Sequence, residues 1–199
     1  MSEVKKFLLA FSNEQLAGFA ILSLWVKTVL VSLLGFNLHV ESFLDILLIL
    51  FNPVGSLLIL IGFSFFFFRK LKPILVIILM GIVTGLLYGD LLYFRFYSDF
   101  VTVPILFQFK NVGGIGPSTF ELMSPWDILL LVDILLAGWI LKGKPRGATV
   151  LSRKWKFSYI GLSVTLLMST LVIGLVRSPY LFAESYDREQ LVKSIGPFN

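Results

Sequence analysis

Cysteine is absent from this chain of 199 residues, and histidine occurs once, as His39. Without cysteine there is no disulfide and no thiolate metal site, and a lone imidazole argues against a zinc centre or a histidine-based catalytic arrangement. Charge is also scarce. Only 15% of residues are Asp, Glu, Lys or Arg, against 57% hydrophobic residues and a mean hydropathy of +0.90. Those values lie outside the range of soluble domains and describe an integral membrane protein. A phosphate-binding loop is missing too: "KNVGGIGPS" contains Gly113, Gly114 and Gly116, but neither GxxxxGK[ST] nor GxGxxG, and no strand precedes it. No internal repeat of the kind built into many transporters is visible.

What the chain does have is apolar windows of the ~20 residues needed to cross ~30 Å of hydrocarbon as a helix. Five are predicted, at about 16–36, 43–68, 73–97, 125–141 and 157–176, which makes the fold all-α and polytopic. Ser12 with Gln15 and Ser124 with Asp127 read as capping boxes, and Pro73 and Pro125 occupy first-turn positions where no donor is lost. The first window is too long for the core of a cleaved leader, and Lys27 interrupts it, so it reads as a span.

Orientation follows from the basic residues, which concentrate in cytoplasmic loops. With the N-terminus inside, Lys5, Lys6, Arg69, Lys70, Lys72, Lys142, Lys144, Arg146, Arg153, Lys154 and Lys156 are cytoplasmic. Arg95, Lys110, Arg177, Arg188 and Lys193 are outside. The C-terminus is then extracellular, and the net charge of +5 is a topology signal and an attraction to anionic lipid, with no nucleic-acid partner implied. Residues 1–176 form the five-helix domain, 98–124 an outer interfacial or re-entrant segment, and 177–199 an extracellular juxtamembrane linker that reads as truncated.

Gly81, Gly85 and Gly89 recur every four residues, as do Gly161, Thr165 and Ser169, and such stripes let a neighbouring backbone approach. They either meet each other or serve general helix packing. Asn52 and Pro53 are expected to bend the second span. Lys27 and Asp133 fall near the middle of the first and fourth spans, where an unpaired charge costs at least ~2.5–3.5 kcal/mol. They are predicted to face each other or a shared polar cavity, as a structural ion pair or as part of a proton or substrate path. Asp90, Arg95 and Asp99 form an outer group, and Arg95 and Asp99 share a face if the third helix continues that far. Arg95 there either holds a phosphate headgroup, oriented by a carboxylate, or snorkels beside a local partner. No residue of the chain is a candidate catalyst or metal ligand: beyond Val176 only Glu184, Asp187 and Glu189 are available, with no histidine.

"YFRFYSDFVTVPILFQFKNVGGIGPST", followed by Trp126, Asp127 and Asp133, resembles the membrane domain of the lipoteichoic acid synthase family, polyglycerol-phosphate synthases and primases of Gram-positive bacteria. The blocks "RFYSDF" and "NVGGIG" carry the likeness, and Lys27, "FNP" in the second span and the closing "ESYDREQLVKSIGPFN" extend it over the whole chain. The resemblance implies an extracellular catalytic domain beyond this chain, with a threonine nucleophile and manganese or magnesium. That domain would move glycerol phosphate from phosphatidylglycerol to a glycolipid-anchored polymer. In that case Arg95, Asp99, Gln108, Lys110 and Asn111 are candidates for the lipid headgroup or for docking of the catalytic domain. The implied partners are membrane lipids, the catalytic domain and proteins of envelope synthesis. A small stand-alone transporter or lipid translocator, with Lys27 and Asp133 as its site, and an assembly subunit are the other classes.

Overall fold

The computed structural model describes residues 13–40, 42–66, 72–100, 121–142 and 153–177, with 189, 192, 193, 196 and 197 near the C-terminal end. Among these the chain is all-helical. Helix α1 is Asn13–Leu30, continued by a π-helical turn Val31–Gly35; α2 is Phe43–Phe63, closed by a 3-10 turn Ser64–Phe66; α3 is Lys72–Tyr97. A 3-10 run Pro125–Leu131 leads into α4, Val132–Lys142, and α5 is Arg153–Arg177.

Four helical stretches are long and apolar enough to cross a membrane: Gln15–Gly35, Phe43–Phe63, Pro73–Tyr97 and Lys154–Val176. The window expected at 125–141 is different in kind, because its first seven residues are 3-10 and only eleven are α-helical. Local chemistry explains its start. Ser124 and Asp127 form a reciprocal capping box with Pro125 in the first turn, as their spacing predicts. A second box, Ser42 with Asp45, starts α2, which continues unbroken through Pro53. The expected box at Ser12 lies outside the described residues.

Helix α1 is the hub. Its Leu16, Ala20 and Leu24 pack with Leu57 and Ile61 of α2, Val76, Met80 and Val83 of α3, and Ala137 and Ile140 of α4. A second core gathers at the other end of α1, where Phe36 is buried edge-on against Phe94 and Phe100, with ring centroids 5.4 and 5.1 Å away. Gly35 closes the π-helical turn against Leu91, whose Cδ1 would have to shift to admit a Cβ, standing 2.7 Å from it.

The glycine stripes correct an expectation. Gly81, Gly85, Gly89 and Gly161 all face outward, and a Cβ on any of them would meet no atom within 4 Å. Helix α3 instead turns Val76, Met80, Val83, Leu87 and Leu91 inward, since bulk fills the core better than a bare backbone. Thr165 and Ser169 donate to the carbonyls of Gly161 and Leu166 on their own helix. The close glycine seam lies between α2 and α5. A Cβ on Gly55 would stand 2.8 Å from the Leu167 backbone, and Gly62 lies against the Tyr159 ring. The Tyr159 hydroxyl donates to the Leu58 carbonyl at 2.9 Å and completes that seam.

Candidate functional site

Three helices contribute to the first polar constellation. Lys27 of α1 donates from Nζ to Asp133 Oδ1 of α4 and to Thr84 Oγ1 of α3, each at 2.7 Å. The Lys27 and Asp133 side chains are only 7% and 11% exposed, so the ion pair is shielded from solvent and from lipid. Each residue sits near the middle of its own helical stretch, Gln15–Gly35, Pro73–Tyr97 or 125–142. Lys27 and Asp133 are the pair anticipated from their isolation in apolar windows. Thr84 was not anticipated; its signal was a hydroxyl at the centre of the third span. Asp133 Oδ2 is buried and has no hydrogen-bond partner in the protein. Beside it opens a groove of about 410 Å³ between α1 and the 3-10 run with α4, walled by Leu22, Val26, Leu30, Leu129, Val132 and Leu136.

A second constellation ties the C-terminal end of α3 to the chain before α4. Arg95 donates from Nη1 to Asp127 Oδ2 and from Nη2 to Asp127 Oδ1, both at 2.7 Å, and from Nη1 to the Leu122 carbonyl at 3.0 Å. Asp127 also accepts the Ser124 N–H at 2.9 Å, so the capping carboxylate and the guanidinium fork share one clasp. The shared face expected for Arg95 and Asp99 does not form. Helix α3 ends at Tyr97, and Ser98 adopts a left-handed φ of 52°. Asp99 accepts the N–H of its neighbour Phe100 at 2.8 Å. Among the described residues no ion pair joins Asp90 to Arg95. Gln108, Lys110 and Asn111 lie outside the described residues.

The third constellation was not visible beforehand. Asn52 of α2, fully buried, donates from Nδ2 to the Lys193 carbonyl at 2.9 Å. Val192 packs into the second core with Phe36, Ile49, Leu87 and Leu91. Glu189 accepts the His39 N–H at 3.0 Å and lies 3.6 Å from the Lys193 ammonium. Gly196 ends this turn with φ 92° and an N–H donated to the Val192 carbonyl. Asn52 is nine residues inside α2, about 13 Å from its start at ~1.5 Å per residue. At Val192 and Lys193 the segment expected to be a surface linker is therefore seated inside the bundle.

Among the described residues no three of His, Asp or Glu converge in a way that could hold a metal ion.

An all-helical bundle with apolar helices of bilayer length and an ion pair at their midpoints defines a membrane domain. The sequence pattern of the lipoteichoic acid synthase N-terminal domain matches residues 1–199, and the chain belongs to that family. It is 34% identical over 188 residues to the lipoteichoic acid synthase-like YvgJ of Bacillus subtilis, covering 94% of this chain and 30% of the relative. It is 34% identical over 182 residues to lipoteichoic acid synthase 2 of the same organism, covering 90% and 28%. With lipoteichoic acid synthase of Staphylococcus aureus the identity is 31% over 202 residues, covering 100% and 31%. The chain thus spans less than a third of the length of these curated relatives. No solved structure matches it at a comparable level of significance.

Proposed function

We propose that this chain is the membrane platform of a lipoteichoic-acid-synthase-type protein. It crosses the cell membrane five times, with the N-terminus in the cytoplasm and the C-terminus outside, and holds an extracellular phosphoglycerol transferase domain at the membrane surface. Family membership over the whole chain supports the pathway. A fifth crossing is supported by length: seven 3-10 residues at ~2 Å and eleven α-helical residues at ~1.5 Å reach roughly 30 Å, with Asp133 at the centre. Orientation rests on the distribution of lysine and arginine. Phosphatidylglycerol is the lipid in this reading, and any manganese or magnesium belongs to the transferase domain.

The observation that carries the platform role is the seating of Val192 and Lys193 against Phe36, Ile49 and Asn52. A simple anchor needs only a spanning helix followed by a free tether. Here the chain leaving α5 is gripped again, which fixes where the following domain begins. The test is Val192→Asp in the full-length protein, assayed for glycerol phosphate polymer and for protease access between residues 178 and 199. The expected result is a severalfold loss of polymer at normal protein level, with faster cleavage. Unchanged polymer with faster cleavage would overturn the positioning role.

A further inference from the structure

The 3-10 run Pro125–Leu131 is longer than its sequence explains, because 3-10 stretches of more than three or four residues are uncommon. Pro125 and the capping box of Ser124 with Asp127 account for the first turn. Beyond it, Ile128, Leu129, Leu130 and Leu131 include neither glycine nor proline, and leucine is among the better α-formers. Core packing does not impose the form either: none of the seven residues is buried, and Leu130 reaches only the edge of the second core. At Val132 the backbone is already α-helical, with φ −60° and ψ −42°.

What the run does have is an anchor at each end. Asp127 is held by Arg95, and Asp133, two residues past the run, is held by Lys27, which also bonds Thr84. Arg95 and Thr84 lie eleven positions apart on α3, roughly 16 Å at ~1.5 Å per residue. The six steps from Asp127 to Asp133 rise about 9 Å as α-helix and up to about 12 Å as 3-10, so the tighter winding leaves less of that span for side chains to close. The two anchors differ in cover. Lys27 and Asp133 are shielded, whereas Arg95 is partly exposed and also carries the Leu122 carbonyl.

We infer that Pro125–Leu131 is an extensible strut, held in its longer 3-10 form between the two ion pairs, with the inner pair as pivot and the Arg95–Asp127 clasp as catch. When the clasp opens, the run rewinds as α-helix. Seven residues shortening by ~0.5 Å each draw Ser124 and Trp126 roughly 3–4 Å toward Asp133. Arg95 releases the Leu122 carbonyl in the same event, so the chain before α4 moves with the strut. The outer end of the bundle is thereby coupled to its centre, whichever domain follows the chain.

The two windings are told apart by which side chains are neighbours: i and i+3 eclipse in a 3-10 helix, while i+3 and i+4 are both close in an α-helix. The experiment uses full-length protein in lipid nanodiscs with two introduced cysteines as its only cysteines, each spin-labelled, and reads dipolar broadening. One preparation carries the labels at Ile128 and Leu131, the other at Ile128 and Val132, all exposed positions. With Arg95 in place, the first pair should be clearly the closer. Arg95→Gln opens the clasp and should bring the second pair as close as the first. Asp127→Asn opens it from the other side and should reproduce that change, so the test survives if one variant does not fold. Ser124→Ala removes the capping hydroxyl with the clasp intact and should leave the first pair the closer. An unchanged order in the clasp variants would overturn the inference, since the run would then be 3-10 by its own preference. Equal closeness in Ser124→Ala would assign the winding to the cap and overturn it as well. Loss of broadening in both label pairs on opening the clasp would also overturn it, because the run would then unravel and not rewind.

Discussion

Two ion pairs of this bundle, Lys27–Asp133 and Arg95–Asp127, are built from similar parts and end in opposite states. Arg95 and Asp127 meet through two parallel hydrogen bonds of 2.7 Å; Arg95 also donates to the Leu122 carbonyl, and Asp127 also accepts the Ser124 N–H. Lys27 and Asp133 meet through one bond of 2.7 Å, Thr84 takes a second ammonium proton, and one carboxylate oxygen is left over. The outer pair is a finished clasp that joins α3 to the start of the 3-10 run. The carboxylates are equally shielded, at 11% for Asp133 and 10% for Asp127, while Lys27 at 7% is better shielded than Arg95 at 28%. The carboxylates carry the difference: both oxygens of Asp127 are engaged, whereas one oxygen of Asp133 is buried with no partner in the protein.

Substitutions at the two pairs test this contrast. Asp133→Ala strands a buried ammonium and should cost about 3–5 kcal/mol, read as a collapse of the folded fraction in a detergent melting assay on full-length protein. Arg95→Lys keeps the charge but loses the fork, so the clasp should weaken by about 1.5–3 kcal/mol in the same assay. Ser124→Ala removes one side of the capping box that supports Asp127 and should cost about 1 kcal/mol, with Arg95 still paired. Smallest of all, Lys27→Met combined with Asp133→Leu should change stability by about 1 kcal/mol or less, because both charges leave together. A large loss in that double variant would mean that the inner pair stabilises the bundle as the outer one does, and the contrast would break.

The inner pair was legible in the sequence because a charge in an apolar window has so few ways to be satisfied. Lys27 and Asp133 stood alone among the aliphatic residues of their spans, and each was the natural partner of the other. The outer pair was not legible in this way. Its partners lie 32 positions apart, and the nearer carboxylate, Asp99, was excluded only by the left-handed turn at Ser98. Helix type was hidden as well: Pro125 and the capping box announce a helical start, but the apolar pattern does not separate a 3-10 turn from an α-turn. The glycines mislead for a related reason. Spacing identifies a bare stripe but not which way it faces, and the true seam at Gly55 and Gly62 has a wider period. Asn52 was read through Pro53 as a bend, whereas its amide reaches across the fold to Lys193. A buried side-chain amide needs a partner, but nothing in the sequence says that the partner is 141 residues away.

The grip on Val192, Lys193 and Gly196 also alters the length of a leash. If the chain were last held at Arg177, residue 199 would roam over an r.m.s. distance of roughly 25 Å for a flexible tether of that length. Counted from Gly196, whose N–H is bonded to the Val192 carbonyl, a flexible tether of three residues would span roughly 10 Å. The volume searched falls with the cube of that distance, by a factor on the order of 10. In the proposed reading, a domain joined beyond residue 199 would therefore meet the membrane at a higher effective concentration, starting from the α1–α2–α3 side of the bundle.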